Sequence, residues 1–290
     1  MTSLEKGLFL SKLAIAVNAL LAAIKIVTGV VGNTYALVAD GIESITDIFS
    51  SIIVWGGLRL AAKPADSEHP FGHGKAESIA GMLVAAGLLF AAGLIAVQSV
   101  GEIRHPHLAP EWYTLLVLAG VIVVKETLSR RVLRAGDALQ STALKGDAWH
   151  HRSDALTSAA AFLGITIALV GGKRFNAADD WAALAACGSI VFNGYRIFRA
   201  ALNELMDASV APAIVEAIRA LAGGVEGVQA IEKCRVRKSG PGLALDIHVH
   251  VAAEMSVRES HRIAHRVQDA LLASPHRIGD VTVHIEPDVD

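Results

Sequence analysis

The sequence predicts an α-helical membrane protein with six transmembrane helices, followed by a small α+β (αββαβ, ferredoxin-like) domain. Three observations carry this. Hydrophobic residues make up 53% of the 290 positions and charged residues 19%, an apolar share above that of an ordinary soluble domain. Six apolar runs are each long enough to cross about 30 Å of hydrocarbon. After Asp207 the character changes, and short alternating and amphipathic segments replace the long runs.

The six runs cover 8–31, 34–62, 77–101, 112–134, 143–171 and 177–206. Residues 1–10 lack a small-residue cleavage site, so the first run reads as a retained span and not a signal peptide. Lys6, Lys12, Lys63, Lys75, Arg130, Arg131, Arg134, Lys145, Arg196 and Arg199 fall on one side of the spans. The positive-inside rule makes that side cytoplasmic and places both termini there, with Trp112 and Trp181 at span ends as interfacial anchors. In the tail, "APAIVEAIRALAGG" has helical spacing and a glycine stop. "VQAIEKCRVRKSG" and "LALDIHVHVAA" alternate as strands across a turn, "SVRESHRIAHRVQDALLAS" is an amphipathic helix, and "DVTVHIEP" is a last strand. This order suits a small open sheet with two helices on one face. The expected division is therefore a transmembrane domain over 1–207 and a cytoplasmic domain over 208–290.

Several function classes are set aside by composition. A net charge of −2 gives no electrostatic case for nucleic acid. Two cysteines, Cys187 and Cys234, are too few for a disulfide framework or a thiolate zinc site. No His-Glu-x-x-His motif occurs, so a zincin-type membrane protease is not indicated.

The informative residues are ionisable groups inside apolar runs. A charge at the bilayer centre costs roughly 2.5–3.5 kcal/mol on insertion scales, so such groups usually face the protein interior and serve function. In "ALVADGIESITDIFSS", Asp40, Glu43 and Asp47 stand at i, i+3 and i+7, on one helix face. In "DAWHHRSDALTSAAAFLGITIALVGG", His150 and Asp154 are i and i+4 and share a face, whereas His151 points about 100° away. Measured down from the outer ends of their spans at 1.5 Å per residue, Asp47 lies about 21 Å deep and Asp154 about 25 Å. At that common depth Glu43, Asp47, His150 and Asp154 can meet. Three carboxylates and an imidazole with no fixed counter-charge repel one another when dry, and a divalent cation removes the conflict. The alternative is neutralisation by Arg152 or Lys25 in buried ion pairs.

With these residues the sequence resembles the cation diffusion facilitator family over nearly its whole length. The motifs are "ADGIESITD" in the second span, "PADSEHPFGHGKAE" between the second and third, and "HHRSD" in the fifth. The resemblance implies a homodimeric exporter in the cytoplasmic (inner) membrane that exchanges a divalent metal for protons by alternating access. It is a secondary transporter, not an enzyme. Zn2+ or Fe2+ is the implied cargo and regulatory ligand, with no cofactor, and a manganese-, cadmium- or cobalt-preferring member is the alternative. Copper(I) is disfavoured by the lack of thiolate ligands. By carry-over, Glu43, Asp47, His150 and Asp154 are the transport ligands with Asp40 accessory, although Glu43 stands where well-known zinc members carry His or Asp.

Two further sites follow from the resemblance. Asp66, His69 and His73 match a loop metal site, for which two imidazoles and a carboxylate suit a tetrahedral ion; the plain alternative is a set of solvated loop residues. Lys75 and Asp207 match a charge pair near the membrane surface of the dimer. In the tail, His248 and His250 share a strand face, and His248, His261, His284 and Glu286 match regulatory ligands held between two tails. Glu232 replaces a His of one branch, so one or two ions remain open. His265 and His276 read as ordinary helix and loop residues, and His105 and His107 match no ligand. A metal sensor without transport would need the tail ligands but not the intramembrane set.

Overall fold

The computed structural model describes residues 3–31, 35–104, 113–171 and 178–288. His105, His107 and Trp112 lie outside the described residues. Six long helices come first: α1 (Ser3–Val31), α2 (Tyr35–Ala61), α3 (Lys75–Arg104), α4 (Thr114–Leu139), α5 (Thr142–Gly171) and α6 (Ala178–Leu205). The tail follows as α7 (Pro212–Gly223), β1 (Ala230–Ser239), β2 (Gly242–Ala252), α8 (Val257–Leu272) and β3 (Ile278–Asp288). The chain divides into two compact units, one of residues 1–64 and 76–202 and the other of residues 65–75 and 203–290.

In the helical unit α1 packs mainly on α2, and α4 mainly on α5. One apolar cluster draws on five helices through Ala14, Val54, Leu58, Ala80, Val84, Leu128, Val132, Leu139, Leu144 and Ala148. A second joins α3 to α6 through Leu88, Ala92, Ile190 and Ile197. Large apolar side chains such as Leu20, Val27, Phe49, Phe90, Val97 and Val123 face outward, as lipid-facing residues of a bundle do. Among the described residues, Glu5–Val27 and Lys75–Gly101 are apolar enough to span a bilayer by composition alone. Helices α2, α4 and α5 carry the buried Asp47, Lys125 and Asp147.

Helix α4 runs five residues beyond the 134 expected from the hydropathy pattern and ends at Leu139, where Gln140 turns left-handed with φ 55°. Gly136 does not break it. A Cβ there would come within 3.2 Å of Leu144, so this glycine lets α4 and α5 approach closely. Gly57 has the same use at the α2–α3 contact, where an added Cβ would lie 2.4 Å from that of Ala80. Overpacking of this kind typically costs about 1–3 kcal/mol. Gly57→Val is therefore expected to lower the melting temperature of the purified protein, and an unchanged melting curve would contradict the tight contact.

The second unit holds a three-stranded sheet in the order β1-β2-β3, with β1 antiparallel and β3 parallel to β2. Alternation along β2 sends Leu245, Ile247, Val249 and Val251 to one face, where they pack with Ile218 and Ala222 of α7 and Ile263, Val267 and Leu271 of α8. Full burial of each large aliphatic chain contributes roughly 1.5–3 kcal/mol, and this face holds both helices. Pro212 opens α7 at its first turn. Ser256 caps α8 by accepting from the Glu259 N–H while its hydroxyl donates to the Glu259 carboxylate. The opposite face of the sheet presents Asp246, His248 and His250, half-buried.

Candidate metal centres

The deepest polar site lies among α2, α4 and α5. His150 Nε2 is 2.8 Å from Asp47 Oδ1, and one atom each from Asp47, His150 and Asp154 fall within 4.8 Å of one another. The side chains of Asp40 and Glu43 lie outside the described residues. Helix periodicity explains the meeting. Asp47 and Ser51 are one turn apart on α2, and Ser51 Oγ donates to Asp147 Oδ1 at 3.4 Å. The two helices therefore run antiparallel, with 47 level with 150 and 51 level with 147. His151 turns away from His150, as its position predicts, and is fully buried with Nε2 3.7 Å from Asp147.

The expectation of a cluster without a fixed counter-charge is overturned. Lys125 of α4, with 1% of its side chain exposed, places Nζ 2.6 Å from Asp47 Oδ2 and 2.8 Å from Asp154 Oδ2. Of the two candidate neutralisers, Lys25 donates to Ser44 at 3.0 Å, and Arg152 lies 3.8 Å from Glu126. The available signal was a lysine within the apolar run "VLAGVIVVKE". Ser129, one turn further along α4, donates to the Ala148 carbonyl at 2.7 Å and fixes the α4–α5 register.

The loop site is built by local turn chemistry. Asp66 Oδ1 accepts from the backbone N–H groups of Glu68 and His69 at 3.2 and 2.8 Å, an Asx-type turn. Gly72, at φ +77°, closes the next turn onto the His69 carbonyl. The result brings His69 Nδ1 to 3.2 Å and His73 Nε2 to 3.6 Å from the Asp66 carboxylate. Nearby, Lys75 Nζ donates to the carbonyls of Glu204 and Leu205 and to Asp207. Asp207 is itself left-handed, at φ 58°, so this lysine caps the C-terminal end of α6.

The tail site occupies the sheet face opposite the helices. Register sets His248 beside His284 and His250 beside Glu286. Glu286 Oε1 is 2.6 Å from His248 Nδ1 and 3.4 Å from His284 Nε2, while Oε2 is 3.3 Å from His250. Hydrogen bonding shared with Glu232 and with His248 holds the Glu286 carboxyl down to about 2. His261 does not join this group within one chain. It lies on α8, across the sheet from His248, and its Nε2 is 3.1 Å from that of His265. The i, i+4 spacing of "SHRIAH" accounts for this pair. Glu232, His250 and Glu286 form a second group of possible ligands beside the first.

Residues 11–206 match the cation efflux transmembrane domain, and residues 210–288 match the cytoplasmic domain of cation efflux proteins. The chain belongs to the cation diffusion facilitator family. It is 29% identical over 279 residues to the manganese efflux system protein MneP of Bacillus subtilis, covering 95% of this chain and 94% of MneP. It is 33% identical over 280 residues to the magnetosome protein MamM of Paramagnetospirillum magneticum, covering 94% and 86%. Metal tolerance protein 2 of Oryza sativa subsp. japonica is 32% identical over 301 residues, covering 94% and 77%. This cation diffusion facilitator is thus a membrane transporter for divalent metal efflux, with a dimerising cytoplasmic domain. The expected membrane protein of six long helices with an αββαβ tail is the fold found.

Proposed function

We propose that the protein exports zinc or iron(II) across the cytoplasmic membrane in exchange for protons, with both termini cytoplasmic, and that Glu43, Asp47, His150 and Asp154 carry the ion. The observation behind this reading is the convergence of Asp47, His150 and Asp154 from two helices of the transmembrane domain. Two carboxylates and an imidazole are borderline-hard ligands suited to first-row divalent ions. Alternating access would expose them in turn to each side as the helices rock around a fixed site. Asp66, His69 and His73 would hold a second ion. The tail ligands would take a regulatory ion shared between subunits, because His261 of one chain cannot reach its own His248 face.

Manganese is the second reading, favoured by the oxygen-rich set and by the manganese efflux relatives MneP and MneS. Proteoliposomes with an imposed proton gradient, supplied in turn with Zn2+, Fe2+ and Mn2+, test cargo and coupling together. Uptake indifferent to the gradient would remove proton exchange, and a cargo other than zinc or iron(II) would overturn the first choice. Within this reading Glu43 is a selectivity position, since a carboxylate suits manganese and iron(II) better than imidazole does. Glu43→His is expected to narrow transport towards zinc. Identical metal profiles in mutant and parent would count against it.

A further inference from the structure

Lys125 and Asp147 are among the described buried groups of the helical unit to which metal ligation gives no task. Lys125 is held by the same two carboxylates that a metal would need. An ion coordinated by Asp47 and Asp154 would have to take the two Oδ2 atoms that Lys125 Nζ already holds at 2.6 and 2.8 Å, which sets two cations against each other at one pair of oxygens. Metal and ammonium therefore compete for one position.

Asp147 supplies a second place for the ammonium. It is fully buried, its Oδ1 accepts from Ser51, and its Oδ2 has no hydrogen-bond partner among the described residues, with His151 Nε2 standing off at 3.7 Å. A buried carboxylate oxygen without a donor is costly and favours any cation that can reach it. The Ser129 bond to the Ala148 carbonyl lays the α4 face that carries Lys125 against the part of α5 that carries Asp147. The lysine stem is flexible, with four methylenes between backbone and charge.

Resting on the transport-site reading above, we propose that Lys125 is a tethered competitor of the metal: its ammonium neutralises Asp47 and Asp154 between cargoes and is displaced towards Asp147 when a divalent ion binds. The carboxylates are then never left bare in a low-dielectric interior, and the returning ammonium drives the ion out. The cost is a weaker apparent affinity for metal.

The test is Zn2+ titration of the full-length, metal-stripped protein by calorimetry, with the binding component lost in Asp154→Asn taken as the transport site. Lys125→Met should bind there at least about tenfold more tightly than the parent, whereas Lys125→Arg, which keeps the charge, should show no such gain. Asp147→Asn should weaken binding about fivefold, and only while Lys125 is present, so that Lys125→Met/Asp147→Asn behaves as Lys125→Met alone. Lys125→Met binding no tighter than the parent overturns the proposal. If that variant does not fold, an unchanged affinity in Asp147→Asn overturns it instead. Full binding and flux in Asp154→Asn would mean that the transport-site reading itself has failed. Loss of both in Asp154→Asn, with unaltered affinity in Lys125→Met, would remove only the competitor.

Discussion

Asp154→Ala is expected to abolish metal flux through reconstituted protein while leaving it folded and inserted. The two aspartates of the site are not equivalent in what their removal leaves behind. Asp47 touches both His150 and Lys125, so Asp47→Ala strands two groups at once. Breaking a buried pair typically costs about 3–5 kcal/mol. Asp154 shares Lys125 with Asp47, and in its absence the ammonium keeps a partner. Loss of transport in Asp154→Ala can thus be read as loss of a ligand and not of the fold. Outer partners of metal ligands commonly cost 10–100-fold when mutated, and a ligand itself should cost no less, so flux at least about a hundredfold below the parent is expected. The measurement is metal uptake into proteoliposomes beside a melting curve of the same preparation. Undiminished uptake would remove Asp154 from the transport set.

What the sequence made legible is what depends on spacing within one element. His150 with Asp154, and Asp40 with Glu43 and Asp47, are visible because one helix periodicity governs them. The strands of the tail are visible because period-two alternation sends Ile247 and Val249 inward and His248 and His250 outward. Lys125 was not legible in the same way. A lysine in an apolar run usually snorkels to an interface, and nothing in α4 alone tells that Ser129 locks it against Ala148. Its partners sit 78 and 29 residues away, so its role depends on the register between helices. The separation of His261 from His248 has a similar origin: both belong to one ligand set by resemblance, yet the core puts them on opposite sides of one sheet.

That separation makes the tail a candidate reporter of metal level, with a large expected change in subunit spacing. In one chain His248, His284 and Glu286 already lie within ligand distance of one another, while His261 faces elsewhere beside His265. An ion on the strand trio that also takes His261 must take it from the partner subunit, and so draws the two tails together. Linkage requires metal to favour whichever tail arrangement binds it better. Spin labels at Val257→Cys, a position 85% exposed at the start of α8, report the spacing in the full-length dimer once Cys187 and Cys234 are replaced. Added Zn2+ is expected to shorten and narrow the distance distribution, and His284→Ala to abolish the response without altering the metal-free spacing. A distribution that ignores metal in the parent would leave these histidines as exposed side chains of a constitutive dimer. A response that survives His284→Ala would move the regulatory ion away from the strand trio, to the His261–His265 pair.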